Sequence, residues 1–318
     1  VDPFILGIYA GDPSRLVTRY ALPKLYNLEQ DYGSFIRGSM KKHAELVDAK
    51  KNNPEYYKRL KKASKKMFSM SGGLDQLIKA LSAKFTDDEI LLGCHNISVC
   101  PARKLYNTKF EHHGQPKSIE SEAVITTTGS HEVPNILPFL RDDEKQKITD
   151  LVYARVVQVS VGYKQWRGFP LNAFGGLVPS KEHRDILGIL FLSAFLNNRA
   201  PEKGALLSVF LGGVRNQDLV DLRDDEIRKL VLPELQRMMM VPDSEPDLFR
   251  IFRHNHAIPQ YGASSGKRIE TVNNIQNHFP GLMLGGNLRD GIGMADRIRQ
   301  GTQIADELDQ LFQETDRQ

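Results

Sequence analysis

The 318-residue sequence predicts a mixed α/β fold in which apolar strands pack against amphipathic helices. Two stretches carry this prediction. Near the C-terminal end, the apolar run Leu282–Leu284 leads into glycines, and Met294, Ile298 and Ile304 then recur at helical spacing. Between residues 145 and 255, apolar runs of strand length precede one amphipathic helix, which is typical of a sheet with a covered face.

The C-terminal unit reads as a strand, a glycine-rich turn and a helix. Gly285 and Gly286 follow the strand at once, and Gly291 and Gly293 precede the helix. Glycines let a backbone approach a ligand with no Cβ in the way, and a helix N-terminus offers free N–H groups to an anion. The spacing alone leaves open an ordinary strand-to-helix turn, which is the commoner use of such glycines.

Composition and cysteine spacing limit the classes of protein to which the sequence can belong. The chain is 40% hydrophobic and 26% charged, which is globular composition with room for one large or two medium domains. Cys94 and Cys100 are spaced neither as a redox pair nor as a zinc knuckle, which favours two ordinary cysteines in a reducing compartment. With no secretory pattern visible, we predict a cytoplasmic protein.

The N-terminal segment reads as a turn followed by helices. We interpret Gly7–Asp12 as a turn, and the spacing of Leu16, Tyr20 and Leu22 predicts a helix that Pro23 ends or kinks. A second amphipathic pattern runs from Leu25 to Phe35.

A basic block follows these predicted helices. Residues 37–66 hold eleven Lys and Arg against three acidic residues. This block is consistent with a solvated face, an anionic membrane contact or a nucleic-acid contact.

The middle of the chain combines one helix with short strands. Ser71–Gly73 precede a helical pattern that ends at Leu81, and strands are predicted at Glu89–Leu92, His95–Val99 and Ala123–Thr128.

The following segment reads as a larger sheet with a helix. Tyr153–Val161 alternates as a strand does, Phe174–Lys181 reads as a turn entering a strand, and Ile186–Phe195 and Ala205–Gly212 suit central strands. Asp224–Met238 is the predicted covering helix.

Two histidines raise the question of a metal. His254 and His256 are two residues apart, on one side of a predicted strand, which is compatible with a metal pair. No third ligand is near them in sequence, so we predict no metal site.

Several of these segments together resemble the FAD-containing amine-oxidase-like flavoproteins, and more narrowly the protoporphyrinogen and coproporphyrinogen oxidases. The resemblance extends over the whole of the given sequence. The segments that carry it are Gly7–Asp12, Gly33–Gly38, Ser71–Leu81, Phe174–Pro179, Gly212–Gly213, Ala257–Tyr261 and Gly281–Thr302.

The resemblance implies FAD as the cofactor. In such proteins the glycine turn and the following helix face the flavin ring, which places cofactor contacts on Gly286, Ile292, Gly293 and Met294. A strand backbone at Ile97 would meet the adenine end. The resemblance also implies the fold: an incomplete FAD-binding Rossmann-like domain and a mixed-sheet substrate-binding domain with covering helices.

The substrate side is implied in the same way. By position, Phe174, Leu177 and Phe210 face a porphyrinogen and should line one apolar wall, whereas the residue pattern alone is equally typical of core packing. The predicted division is 1–66 for the end of a helical lobe and basic linker, 67–140 and 256–318 for the FAD-binding domain, and 141–255 for the substrate-binding domain.

One expected motif is absent from the sequence. A dinucleotide-binding domain of this kind carries G-x-G-x-x-G after a strand, and none of the glycine clusters here fits that spacing. We therefore expect the first half of the nucleotide domain to lie outside these 318 residues. We also expect the chain alone to bind little or no FAD and to be inactive.

The implied reaction is hydride transfer from a methylene bridge of the macrocycle to FAD, with oxygen as the final electron acceptor. The sequence shows no acid–base dyad, so we assign no catalytic side chain. The alternatives are another amine-oxidase-like flavoenzyme of the desaturase type, or a nucleic-acid-binding module using residues 37–66. The block has few interleaved aromatics, so we expect no nucleic-acid partner. Peripheral membrane contact and homo-oligomer formation are both compatible with the sequence.

Overall fold

A computed structural model describes residues 2–55, 58, 69–242 and 245–315. The chain divides into two compact units, Val1–Leu16 with Gly93–Gln318, and Val17–Leu92. Helices and sheets are mixed along the chain, which confirms the predicted α/β class. Within the described residues no helix is long and apolar enough to cross a membrane. The four-segment division stays a prediction.

The helices and strands follow one another in mixed order. The α-helices are α1 (Asp2–Tyr9), α2 (Thr18–Ala21), α3 (Pro23–Tyr32), α4 (Phe35–Asn52), α5 (Asp75–Ser82), α6 (Val133–Ile136), α7 (Asp142–Thr149), α8 (Leu192–Phe195), α9 (Asp224–Met239), α10 (Ser265–His278) and α11 (Met294–Thr315). The strands are β1 (Cys94–Ala102), β2 (Leu105–His112), β3 (Gln115–Ser121), β4 (Val124–Thr126), β5 (Tyr153–Tyr163), β6 (Gly175–Leu177), β7 (Ile186–Leu190), β8 (Ala205–Gly212), β9 (Leu248–Pro259) and β10 (Leu282–Leu284).

The smaller unit contains a helical hairpin. Pro23 stands at the first position of α3 and begins that helix, because a proline at this position gives up no hydrogen bond. The preceding helix α2 ends at Ala21, just before Pro23 as predicted, but it has only four residues. Gly38 lets α4 approach α3, since a Cβ there would lie 2.6 Å from the Leu28 carbonyl oxygen. Residues 56, 57 and 59–66 of the basic block lie outside the described residues.

Three other sequence predictions need correction. Glu89–Leu92 is not a strand, because the Glu89 carboxylate accepts hydrogen bonds from the Thr86 N–H at 2.8 Å and its hydroxyl at 2.9 Å, which closes a turn. Gly7–Tyr9 of the predicted turn lie in helix α1, which forms because Ile5 and Leu6 bury their side chains. The strand that begins at Ile186 ends at Leu190, and α8 follows it.

The larger unit is built on a five-stranded antiparallel sheet with the order β6-β7-β8-β5-β9. One face of the sheet packs against α9. Apolar side chains of β5 and β8 meet those of the helix there, and the residues at this interface are fully buried. They include Val157, Val159, Val161, Leu207, Val209, Leu211, Ile227, Val231 and Leu235.

The other sheets belong to the same unit. Strands β1, β2 and β3 form an antiparallel sheet. Strands β4 and β10 form a parallel pair, with Leu282 opposite Val124 and Leu284 opposite Thr126. All three residues of β10 are buried, and α11 begins ten residues after the strand ends. These elements confirm the predicted strand, turn and helix.

We predict that Leu235→Ala lowers the free energy of unfolding by about 2–5 kcal/mol, because it opens a cavity between α9 and the sheet. Leu235 is fully buried, whereas Leu92 is 77% exposed, so Leu92→Ala is the matched control. Urea denaturation followed by circular dichroism measures both. Equal stability losses for the two variants would contradict this account of the core.

Candidate functional site

The glycine turn after β10 is held tightly against the end of β4. The Gly285 N–H donates to the Thr126 carbonyl at 2.8 Å, which continues the parallel ladder by one residue. Gly286 follows with φ +82°, and a Cβ on it would lie 2.6 Å from the Thr127 carbonyl oxygen. Both the backbone conformation and the close approach therefore require glycine at position 286.

A buried side chain of α11 connects three parts of the turn. Gln300 Oε1 accepts the Gly286 N–H at 2.8 Å and a guanidinium N–H of Arg297 at 2.7 Å. Gln300 Nε2 donates to the Asp290 carboxylate at 2.7 Å. Arg297 also donates to the carbonyl oxygens of Arg289 and Gly291. The helix thereby fixes the conformation of the turn that precedes it.

Two tyrosines hold Asn287, the residue after the tight glycine. The Tyr261 hydroxyl donates to the Asn287 carbonyl at 2.7 Å, and the Tyr153 hydroxyl donates to Asn287 Oδ1 at 3.1 Å. The Tyr153 oxygen also accepts the Ser130 N–H at 3.0 Å. Burial raises the pKa of Tyr261, so its hydroxyl remains a donor at all ordinary pH values.

Two histidines stack beside Tyr153. The rings of His131 and His256 lie 3.7 Å apart and nearly parallel, with Tyr153 edge-on to both. Burial, then the neighbouring His131, lowers the pKa of His256, which favours the neutral ring that stacking requires. No group of His, Cys, Asp and Glu side chains able to hold a metal occurs in the described part of the chain.

A buried arginine supports the turn from α10. Arg268 is only 1% exposed, and its Nε donates to the Leu288 carbonyl at 3.0 Å. Its Nη2 donates to the Ser265 hydroxyl, and its guanidinium lies 5.7 Å from the Tyr261 ring centre. Burial lowers the pKa of Arg268. This support was not predicted, because a single arginine in an amphipathic pattern carries no signal of burial.

The outer side of the turn is apolar and accessible. Ile292 is half-buried, while Met294 is 50% and Ile298 is 59% exposed. The Gly293 N–H donates to the Asp296 carboxylate at 3.1 Å, and a Cβ on Gly291 would lie 2.5 Å from the same carboxylate. An accessible apolar surface at a helix N-terminus suits a flat ring system with an electron-rich edge.

Most of the predicted cofactor residues lie close together in the structure. Gly286, Ile292, Gly293 and Met294 lie in one continuous turn that ends at the start of α11. Ile97 lies in a different sheet, on β1, where the pairing with β2 is interrupted by a bulge between His95 and Ser98. Ile292, Gly293 and Met294 fit the flavin end of FAD, because they form an accessible apolar surface, whereas Gly286 is buried against Thr127. The assignment of cofactor contacts stays a prediction.

The predicted substrate residues lie on the larger sheet or beside it. Leu177 pairs with Gly188, and Gly188 pairs with Phe210, so Leu177 and Phe210 share the face opposite α9. A Cβ on Gly7 of α1 would lie 2.4 Å from the Leu177 side chain, so this helix covers the Leu177 end of the face. The other end is open, with Phe252 44% exposed, and this face is called the uncovered face below.

Phe174 precedes β6 and stacks on Phe195, with 4.1 Å between the ring centres. Whether the three predicted residues bind a substrate stays a prediction.

The same cross-strand row contains two residues that the sequence analysis did not select. Phe210 pairs with Gln158, and Gln158 pairs with Phe252 on the edge strand. Gln158 Nε2 donates to the hydroxyls of Ser160 at 3.0 Å and Ser208 at 2.6 Å. Alternation along β5 places Gln158 on the uncovered face, but only the pairing register shows that it lies between the two rings.

The sequence profile of the flavin containing amine oxidoreductase family matches residues 1–308. The chain is 28% identical over 325 residues to a mitochondrial protoporphyrinogen oxidase of Nicotiana tabacum, covering 96% of this chain and 63% of that protein. It is 24% identical over 319 residues to a coproporphyrinogen III oxidase of Bacillus subtilis, and the match covers 98% of this chain and 64% of that protein.

A crystal structure of a protein assigned as a protoporphyrinogen oxidase from Exiguobacterium sp. has the same fold. The TM-score is 0.74 at 23% identity, covering 97% of this chain and 63% of that one. The chain thus spans about three-fifths of the length of the curated relatives that it matches, with 63%, 62% and 60% of three of them covered.

We predict that Gln300→Leu lowers the free energy of unfolding by about 1–3 kcal/mol, because the Gly286 N–H and the Asp290 carboxylate lose a buried partner. Gln303 is exposed on the same helix, so Gln303→Leu is the matched control. Thermal denaturation measures both, and limited proteolysis should cut the 285–293 turn faster in Gln300→Leu alone. A Gln300→Leu variant as stable and as protected as the control would contradict the proposed support.

Proposed function

The chain belongs to the flavin containing amine oxidoreductase family, and we propose that the whole protein is an FAD-dependent porphyrinogen oxidase of haem biosynthesis. The similarity of nearly the whole chain to protoporphyrinogen and coproporphyrinogen oxidases supports this proposal. FAD supplies a hydride acceptor when it is bound. Gly286, Ile292, Gly293 and Met294 would hold its flavin end.

One structural observation carries the proposal: strand β5 contributes to both the glycine turn and the uncovered face. At its start, Tyr153 donates to Asn287 of the turn at 3.1 Å. Five residues later, Gln158 lies in the row with Phe210 and Phe252. At about 3.4 Å per residue, the two points are roughly 17 Å apart along the strand. A porphyrinogen on this face would therefore lie on the same rigid element that supports the turn.

The side chains of this face would bind and orient the substrate. Leu177, Phe210 and Phe252 offer apolar surface to a macrocycle, and burial of that surface excludes water from the reacting carbon. The cross-strand partners that the described residues place in this row are Leu177, Gly188, Phe210, Gln158 and Phe252, and none of these is acidic or basic. Their proposed role is therefore positioning.

We propose that the 318 residues alone bind FAD weakly and lack oxidase activity. They contain no G-x-G-x-x-G motif to bind the pyrophosphate. In addition, β4 and β10 form only a two-stranded parallel sheet among the described residues, and Ile125 on β4 is exposed. Parallel sheets are normally larger and covered on both faces, which supports further strands from elsewhere as neighbours of this pair.

The finer properties remain proposals. We propose oxygen as the electron acceptor and a cytoplasmic location, the latter supported by two cysteines that form no disulfide. Peripheral contact with anionic membranes would use the basic residues between 37 and 66 and would weaken with salt. Self-association would use the open edge of the β4–β10 pair.

The proposal predicts a visible spectrum. Protein expressed from the complete coding sequence should show oxidised flavin absorbance, which should bleach when a porphyrinogen is added without oxygen and return with air. The 318-residue chain should show little flavin absorbance after gel filtration.

A flavin that bleaches with amines or other substrates and not with a porphyrinogen would favour a different flavoenzyme. A 318-residue chain that retains stoichiometric FAD and oxidises a porphyrinogen would contradict the proposal for the chain alone.

A further inference from the structure

Edge strand β9 presents two arginines to opposite faces of the sheet. Arg253 pairs in register with Val157 and faces the core beside α9. It donates to the carbonyl oxygens of Val220 and Leu222 and pairs with Asp224 at 2.7 Å. Arg250 pairs in register with Ser160, on the face that carries Gln158. The two arginines are therefore in different environments.

Arg250 is an unpaired cation. It is exposed, and within residues 2–55, 58, 69–242 and 245–315 its side chain makes no hydrogen bond or ion pair. By contrast, Arg155 on the adjacent strand is held by Asp221 through two hydrogen bonds of 2.5 and 2.7 Å. The sheet thus anchors two of its arginines with carboxylates and leaves the third available on the uncovered face.

The neighbours of Arg250 form a mixed surface. Arg250 and Phe252 are alternate residues of β9, so their side chains emerge on one face about 7 Å apart. Across the sheet from Phe252 come the amide of Gln158 and the ring of Phe210. On this face Phe252 therefore lies opposite the Gln158 amide, and Arg250 lies beside Phe252 along the edge strand, opposite Ser160.

We propose, on the basis of the proposed function, that Arg250 recognises a peripheral carboxylate of the porphyrinogen, with Phe252 packing beside it. A porphyrinogen carries polar N–H groups at its centre, apolar ring carbon around them and carboxylates at its rim. The surface offers a polar amide, an aromatic ring and a cation side by side on one face. A guanidinium binds a carboxylate through two parallel N–H donors, which gives orientation as well as affinity.

The test measures porphyrin affinity for the complete, FAD-loaded protein. The probes are a four-carboxylate porphyrin and its tetramethyl ester, which has the same ring and no negative charge, and binding is followed by porphyrin fluorescence anisotropy. Arg250→Gln should weaken binding of the acid by about fivefold and change binding of the ester by less than about twofold. Arg250→Lys should recover part of the loss, and added salt should shrink the difference.

Arg167 is exposed in a loop after β5 and provides the matched control, since Arg167→Gln should change neither affinity. Suppose that the wild-type protein binds both porphyrins. If Arg250→Gln then binds the acid as tightly as the wild type, or loses affinity for the acid and the ester equally, the proposed role of Arg250 is overturned and the proposed function is not. Wild-type protein that binds neither porphyrin would overturn the proposed function and this role together.

Discussion

The site depends on the close approach of one glycine to one carbonyl. Gly286 lies so near the Thr127 carbonyl oxygen that a Cβ would be only 2.6 Å from it, and its φ of +82° is strained for any other residue. This approach brings the end of β10 against the end of β4, and the backbone then continues toward α11. Gln300 then accepts the Gly286 N–H, so the helix and the turn fix one another.

The proposed substrate face is connected to the same turn through hydrogen bonds. Tyr153 and Tyr261 both hold Asn287, and Tyr153 begins the strand on which Gln158 lies. Asn287 at the turn and Gln158 on the uncovered face are thus connected through strand β5 and the Tyr153 hydroxyl. Such a connection would maintain the relative position of the proposed cofactor and the proposed substrate, as catalysis by positioning requires.

The sequence predicted elements whose apolar periodicity is strong. It did not predict features whose conformation or burial depends on a residue far away in the sequence. The strand at Leu282–Leu284 and the helix Asp224–Met239 follow from their own apolar patterns. Helix α1 was missed because its apolar run is short and gains stability by covering Leu177. Gln300 and Arg250 were missed because nothing local distinguishes a buried glutamine or an unpaired arginine from ordinary surface residues.

The most direct test of the account is the FAD affinity of Gly286→Ala, measured by titration of the complete protein after cofactor removal. Gly301→Ala on α11 is the control, because a Cβ there meets no atom within 4 Å. The account predicts that Gly286→Ala binds FAD at least about tenfold more weakly, since one strained close contact costs on the order of 1–3 kcal/mol. Gly301→Ala should bind normally. Equal FAD affinity in the two folded variants would contradict the account.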